Sequence, residues 1–203
     1  MKVAGKITLK YRELGVNAMT VSAHKFHGPR GIGALVIRSG TTLHPILHGG
    51  FQQAGLRPGT EDVALAVGMH TALRIAIDER EERHQRLRDS LERQLLTADN
   101  QIVINGRDAD RLPHTSNISF PGVDRQALLM ALDMAGVACS TGSACASGSS
   151  EPSPVLVAMG AAEEVISSSF RFSLGATTTP DEIDEAVRRI LLVINQLRHG
   201  KNP

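Results

Sequence analysis

The chain has no excess of either charge. Its 22 Lys and Arg residues stand against 21 Asp and Glu, a formal net charge of +1. That balance gives no reason to expect nucleic acid or an anionic membrane surface as a partner. Long hydrophobic runs are also missing, since none approaches the roughly 20 apolar residues of a spanning helix. The opening Met1-Lys2-Val3-Ala4-Gly5-Lys6 lacks an apolar signal core, so secretion is not expected. Cysteine is scarce: Cys139 and Cys145 alone, close in sequence. Two cysteines make no disulfide framework, and free thiols in a cytoplasmic protein are the expectation. What remains is ordinary soluble composition, 41% hydrophobic and 21% charged over 203 residues. That length suffices for one good-sized core or two modest ones.

Taken in order, the first third reads as short strands and loops. Strands are expected at 7–9, 18–21, 31–37 and 42–47. Residues 31–37 are apolar on both faces, which fits a sheet covered on both sides. A glycine-bearing loop follows over 49–59, with Gln52, Gln53, Arg57 and Pro58. A long helix is predicted from near Glu61, with Val63, Val67, Leu73 and Ile77 at roughly helical spacing. The charged run 78–84 reads as a solvated face, and Leu87, Leu91 and Leu95 continue an apolar stripe. A helix whose apolar face changes midway suits a link between two subdomains, with a boundary near 95–100.

The remainder reads as α+β. Strands are predicted at 101–104, 115–120 and 169–174, with a short one at 137–139. A helix over 124–135 has Asp124 at its start and Gly136 just past its end. A short helix over 153–159 closes at Gly160. The last helix opens at Thr179-Pro180-Asp181-Glu182 and runs through Ile183, Val187, Ile190, Leu191 and Ile194.

Two stretches carry chemistry. In Ser22-Ala23-His24-Lys25-Phe26-His27-Gly28-Pro29, a lysine follows a strand among small and polar residues. Ser22, His24 and the turn backbone are able to hydrogen-bond a phosphate. An amine beside such a site is the arrangement for covalent chemistry on a conjugated carbonyl. In Ser140-Thr141-Gly142-Ser143-Ala144-Cys145-Ala146-Ser147-Gly148, a thiol sits in a loop that offers no apolar wall. That suits a thiol reaching into a site rather than a buried one. Arg171 alternates with Phe170 and Phe172, so it faces away from them. It reads either as a surface ion pair or as a bidentate carboxylate clamp, and composition alone favours the ion pair. The pairs His24/His27 and His44/His48 lack a completing ligand, so no metal site is expected. Glycines 28–33 lead into a strand rather than a helix, which argues against a dinucleotide fingerprint.

At these residues the chain resembles the cysteine desulfurases, in the nitrogen-fixation and iron–sulfur-assembly branch of the class V aminotransferase superfamily. Ser22-Ala23-His24-Lys25 with Gly28-Pro29-Arg30-Gly31 is similar to that family's cofactor-lysine motif. His48-Gly49-Gly50, Arg57-Pro58-Gly59-Thr60, the Cys145 loop, Glu151-Pro152-Ser153 and Ser169-Phe170-Arg171-Phe172-Ser173-Leu174-Gly175 continue the pattern in family order. The resemblance implies the α/β fold of fold-type I (aspartate-aminotransferase-like) enzymes. Residues 1–60 would form the C-terminal part of a large domain that binds pyridoxal 5'-phosphate. Residues 61–98 would form a long linking helix, and 99–203 a small C-terminal α+β domain.

It implies roles as well. Lys25 would carry the cofactor and move the α-proton of L-cysteine, and Ser22 and His24 would bind its phosphate. Thr60 would reach the phosphate of the partner subunit in a homodimer. Arg171 would clamp the substrate carboxylate. Cys145 would take the sulfur as a persulfide, release L-alanine and pass the sulfur to an acceptor or cluster scaffold protein. The resemblance covers about the C-terminal half of the family's length, so an N-terminally truncated large domain is expected. The family's ring-stacking histidine and its aspartate for the pyridine nitrogen lie upstream of the match. The alternative expectation is a catalytically incompetent remnant that binds the partners of a full-length paralogue.

Overall fold

The computed structural model describes residues 6–78, 81–141 and 152–199. The chain divides into two compact units, residues 1–80 and 81–203.

In the first unit, β1 (Ala18–Ser22) and β2 (Gly33–Ile37) form a two-stranded antiparallel sheet with Val21 opposite Ala34 and Ser22 opposite Gly33. A 3-10 turn, Ala23–Phe26, follows β1 directly. The helix α1 (Val63–Asp78) is the other main element. Val21, Ala23, Phe26 and Ala76 are buried together, with Met69, Ala72 and Leu73 packed against them. Residues 69, 72, 73 and 76 are spaced i, i+3, i+4, i+7, so one helical stripe meets the turn.

Several expectations for this unit are corrected. The described stretches 7–9 and 42–47 are not strands. The run 31–37 does form a strand, but Leu35 and Val36 are exposed rather than covered on both sides. Among the described residues β2 pairs with β1 alone. Val63, Val67 and Ile77 are likewise exposed. The helix turns the stripe Met69, Ala72, Leu73 and Ala76 to the Phe26 turn instead.

The second unit is a three-stranded antiparallel sheet packed with helices. β3 (Val103–Ile104), β4 (Thr115–Ser119) and β5 (Ser169–Ser173) run in the order β3-β4-β5. The alternation of β4 and β5 sorts their faces, as period two requires. Ile118, Phe170 and Phe172 enter the core while Asn117 and Arg171 lie opposite each other on the other face. Phe120 stands 5.8 Å from Phe170 and 6.3 Å from Phe172, centroid to centroid, in tilted and edge-on arrangements that favour aromatic contact. The same core takes Leu87, Leu91 and Leu95 from α2 (Glu81–Ala98), Leu128 and Leu132 from α3 (Arg125–Met134), and the inner stripe of α6 (Pro180–His199).

The helix ends follow their sequence signals. The Asp124 carboxylate accepts from the Ala127 N–H at 2.8 Å, and Gly136 takes φ +73° past the end of α3. Thr179 and Glu182 form a reciprocal capping box at the start of α6. The Thr179 N–H donates to Glu182 Oε2 at 2.8 Å and the Glu182 N–H to Thr179 Oγ1 at 3.2 Å. Two short helices, α4 (Pro154–Ala158) and α5 (Glu163–Ser167), precede β5.

The helical stretch predicted as one element from 61 to 98 is described as α1 and α2, with residues 79–80 outside the described set. The units divide at 80/81 rather than near 95–100, because the leucine stripe of α2 belongs to the second core. Nor is the run 78–84 solvated throughout. Arg83 donates to the carbonyls of Ala176 and Thr178, and His84 is buried with Nε2 3.0 Å from Gly175 O. These two side chains hold the connector between β5 and α6.

Candidate active site

The lysine turn is held by its apolar residues. Ala23 and Phe26 are 0% and 1% exposed, so the backbone between them is pinned to the core. His24 and Lys25, lying between, are exposed, and Ser22 is half-buried at the strand end. His27 ends the turn in the left-handed region at φ +64°. The Gly28 N–H donates back to Ala23 O at 2.9 Å. A Cβ at Gly28 would stand 2.9 Å from the Ala23 Cβ, so only glycine lets the chain close this tightly. The side chains of Ser22, His24 and Lys25 make no hydrogen bond or ion pair among the described residues. A hydroxyl, an imidazole and a primary amine within four consecutive residues are therefore uncommitted among the described residues.

The loop carrying Thr60 belongs to the same unit and is braced by its own side chains. Gln53, Ala54 and Gly55 take φ of +52°, +55° and +75° in succession. Left-handed backbone at two non-glycine residues costs energy that the surroundings must offset. The Gly59 N–H donates to Gln52 Oε1 at 3.2 Å, and Gln53 Nε2 donates to Glu61 Oε1 at 2.9 Å. The Gln53 amide is the main cause that holds the Glu61 carboxyl below its usual range, helped by the Glu61 backbone. A Cβ at Gly49 would lie 3.0 Å from the Pro58 Cβ, so the 48–50 and 57–60 segments lie side by side. Thr60 itself is exposed.

Arg171 lies in the second unit, half-buried, on the face of β5 opposite Phe170 and Phe172. Its backbone is held on both edges. Asn117 pairs with it from β4, and Ser140 forms an isolated antiparallel bridge on the other side. The Arg171 N–H donates to Ser140 O at 2.7 Å and the Ser140 N–H to Arg171 O at 3.1 Å. The predicted strand 137–139 is not formed, and the bridge falls on the next residue, Ser140. Sequence reading missed Ser140 and Asn117 as neighbours of Arg171, since strand register is a long-range property. The only available signal was the alternation of 115–120 and 169–174. Asn117 Oδ1 also accepts from Asn105 Nδ2 at 2.6 Å, which ties that face of β4 to β3.

The two cysteines separate. Cys145 lies outside the described residues. Cys139 is half-buried, and burial, with a smaller contribution from the Asp133 charge, pushes its thiol up to about 11. It is protonated at neutral pH and is a poor nucleophile there. Among the described residues no cluster of three or more His, Cys, Asp or Glu could hold a metal ion. Among those residues no helix is long and apolar enough to cross a membrane.

A strand–lysine-turn unit followed by an antiparallel α+β unit carrying an arginine strand defines a class. It is the fold of fold-type I pyridoxal-phosphate enzymes, and solved structures of NifS-like proteins share it. One from Rickettsia africae matches with a TM-score of 0.80 at 30% identity, over 95% of this chain and 51% of its own. Another NifS-like protein matches with a TM-score of 0.81 at 33% identity, over 96% and 50%. The chain belongs to the aminotransferase class-V family, whose pattern matches residues 2–186. It is 42% identical over 201 residues to the cysteine desulfurase IscS of Dictyoglomus turgidum, covering 98% of this chain and 51% of the relative. It is 36% identical to the cysteine desulfurase NifS of Azotobacter vinelandii, covering 98% and 50%. The chain thus spans about half the length of the curated relatives it matches.

Proposed function

We propose that this chain carries the lysine, the arginine and the cysteine of a cysteine desulfurase, acting on L-cysteine to give L-alanine and a persulfide for iron–sulfur cluster assembly or other sulfur transfer. The observation that carries the reading is the lysine turn. Its amine, imidazole and hydroxyl are uncommitted among the described residues, on a backbone locked by Ala23 and Phe26. That donor set fits pyridoxal 5'-phosphate, because a hydroxyl and an imidazole suit its phosphate and a primary amine suits its aldehyde. When bound, the cofactor supplies the electron sink for breaking bonds at the substrate's carbons.

The rest of the chemistry falls to side chains. Ser22 and His24 hold the phosphate, and Thr60 reaches the phosphate of a second subunit in a homodimer. Lys25 moves the proton at the substrate Cα. Arg171 binds the substrate carboxylate through two parallel N–H···O bonds. The Cys145 thiolate attacks the substrate sulfur: a sulfur–sulfur bond forms, the substrate carbon–sulfur bond breaks, and the carbon is protonated to give alanine. Cys139 is unsuited to that role, since its thiol is held protonated up to about pH 11. The two-bond bridge from Ser140 to Arg171 anchors the chain five residues before Cys145. A cytoplasmic setting keeps that thiol reduced.

A second reading rests on a specific observation, the match to half the relatives' length. In it the chain binds the partners of a longer paralogue and does no chemistry. Absorption spectroscopy of the purified chain with pyridoxal phosphate, then with L-cysteine, separates the two. A visible band that is absent in Lys25→Ala and shifts on adding L-cysteine supports the desulfurase. A colourless protein sinks it in favour of the second reading. Cys145→Ala is expected to keep the band and lose persulfide; alanine formed by that variant at the native rate would overturn the role given to Cys145.

A further inference from the structure

In the second unit, α2 and the segment 105–114 border a cavity of about 500 Å3. Its charged lining is four arginines, Arg88, Arg93, Arg107 and Arg111, with the carboxylates Asp89 and Glu92. Positions 88, 89, 92, 93 and 96 are spaced i, i+1, i+4, i+5, i+8, so α2 turns one face to it.

The inner charges are matched. Glu92 is 5% exposed. It accepts from Arg111 Nη1 at 2.7 Å and Nη2 at 3.1 Å, and from Ser116 Oγ at 2.7 Å. Arg88 is 7% exposed. It donates through Nε and Nη2 to Asp89 Oδ1 at 3.0 and 2.7 Å, and through Nη1 to Leu112 O at 3.1 Å. The outer charges are not matched. Arg93 and Arg107 are exposed and have no carboxylate within ion-pair distance among the described residues. Among the described residues the one side-chain bond of Arg93 is to Ser90 Oγ at 3.3 Å. Four guanidiniums against two carboxylates leave the lining at +2. Asp108 and Asp110 on the same segment bring the local sum to zero, so the attraction for an anion rests on the two exposed guanidiniums rather than on net charge, and the Asp108 charge is felt at Arg111.

We propose that this cavity binds a phosphorylated small molecule of nucleotide size. Its phosphates lie between Arg93 and Arg107, and its organic part lies against Leu96 and the arginine stems. Three physical points favour this occupant. Planar guanidinium forks match phosphate oxygens bidentately. The buried Arg88 and Glu92 are held by the half-buried Asp89 and Arg111, which fixes the floor without consuming the outer two. The volume falls within the roughly 300–1,000 Å3 of small-molecule sites and exceeds what a lone phosphate fills.

The test is calorimetric titration of the full chain with ATP and, separately, with inorganic pyrophosphate, at low and high salt. Saturable ATP binding with a Kd below about 1 mM is expected, weaker at high salt. The double variant Arg93→Ala/Arg107→Ala should weaken it at least about tenfold, and the double lysine variant should recover only part, because ammonium groups lack the fork. Both positions are exposed, so an unchanged thermal melt is expected and separates binding from folding. No saturable binding, or unchanged binding in the alanine double variant, overturns the proposal. Pyrophosphate binding as tight as ATP overturns the nucleotide-sized occupant and leaves a phosphate site. Loss of binding in Ser22→Ala/His24→Ala would assign the anion to the lysine turn and overturn it too. None of the cavity residues has a part in the proposed desulfurase chemistry, so the two readings fail separately.

Discussion

Among the described residues, the first unit buries four apolar side chains together: Val21, Ala23, Phe26 and Ala76. The second buries eighteen, drawn from three helices, three strands and the segments between them. The first leaves Leu35, Val36, Val63, Val67 and Ile77 to water. In the second, the buried carboxylate of Glu92 is paired with Arg111 and Ser116. Burial of apolar side chains is the main favourable term set against the conformational entropy of ordering the chain. The second unit has many such side chains and the first has few. The lysine turn stands on the thinner foundation, with its geometry resting on Ala23 and Phe26. The arginine strand stands on the thicker one, with Phe170 and Phe172 beneath it.

The sharpest way to break this contrast is to cut a core side chain in the second unit. Leu95→Ala, at a site that is 0% exposed, is expected to cost about 3 kcal/mol in urea unfolding followed by circular dichroism. A cost under about 1 kcal/mol would mean that this core is looser than its burial suggests. A smaller effect is expected at the capping box. Thr179→Ala removes the side-chain partner of the Glu182 N–H and should cost about 1 kcal/mol. Smaller still is Val67→Asn on the exposed face of α1, which should shift stability by less than about 0.5 kcal/mol. A loss of several kcal/mol there would show that another polypeptide covers this face in solution. Last comes a modification that should not occur. With its thiol pushed up to about 11 by burial, Cys139 should resist iodoacetamide at pH 8 and gain reactivity only as pH climbs toward that value. The raised pKa also sets a sign: Cys139 favours the fold below the thiol's unfolded pKa, and that contribution fades as pH rises toward 11. Rapid labelling of Cys139 at pH 8 in the folded chain would mean that its burial is transient.

Much of the second unit was legible in the residues. Asp124 and Gly136 bracket α3, Thr179-Pro180-Asp181-Glu182 opens α6, and the alternation Phe170-Arg171-Phe172 sorts the faces of β5. These signals are local: a cap, a glycine at positive φ, a period of two. The missed features are not local. Residues 7–9 and 42–47 have strand-like composition but find no partner strand among the described residues. The double-sided burial expected of 31–37 depends on what covers it, and α5 is too short to show a period. In the candidate site, Lys25, Ser22 and His24 could be singled out together because the three lie within four residues. The pairing of Ser140 and Asn117 with Arg171 was not, because it joins segments far apart in the chain.

The sequence by itself determined the reactive groups and their spacing: an amine before a closely following glycine, an arginine between two phenylalanines, and a thiol among small residues. Those are properties of residue type and spacing within a few positions, where backbone geometry leaves few choices. The tertiary structure alone decided which face of α1 is buried, that Cys139 is held protonated, that Ser140 anchors the chain beside Arg171, and that four arginines meet around one cavity. Burial, register and local charge are set by contacts between distant segments, and only the folded chain brings those together.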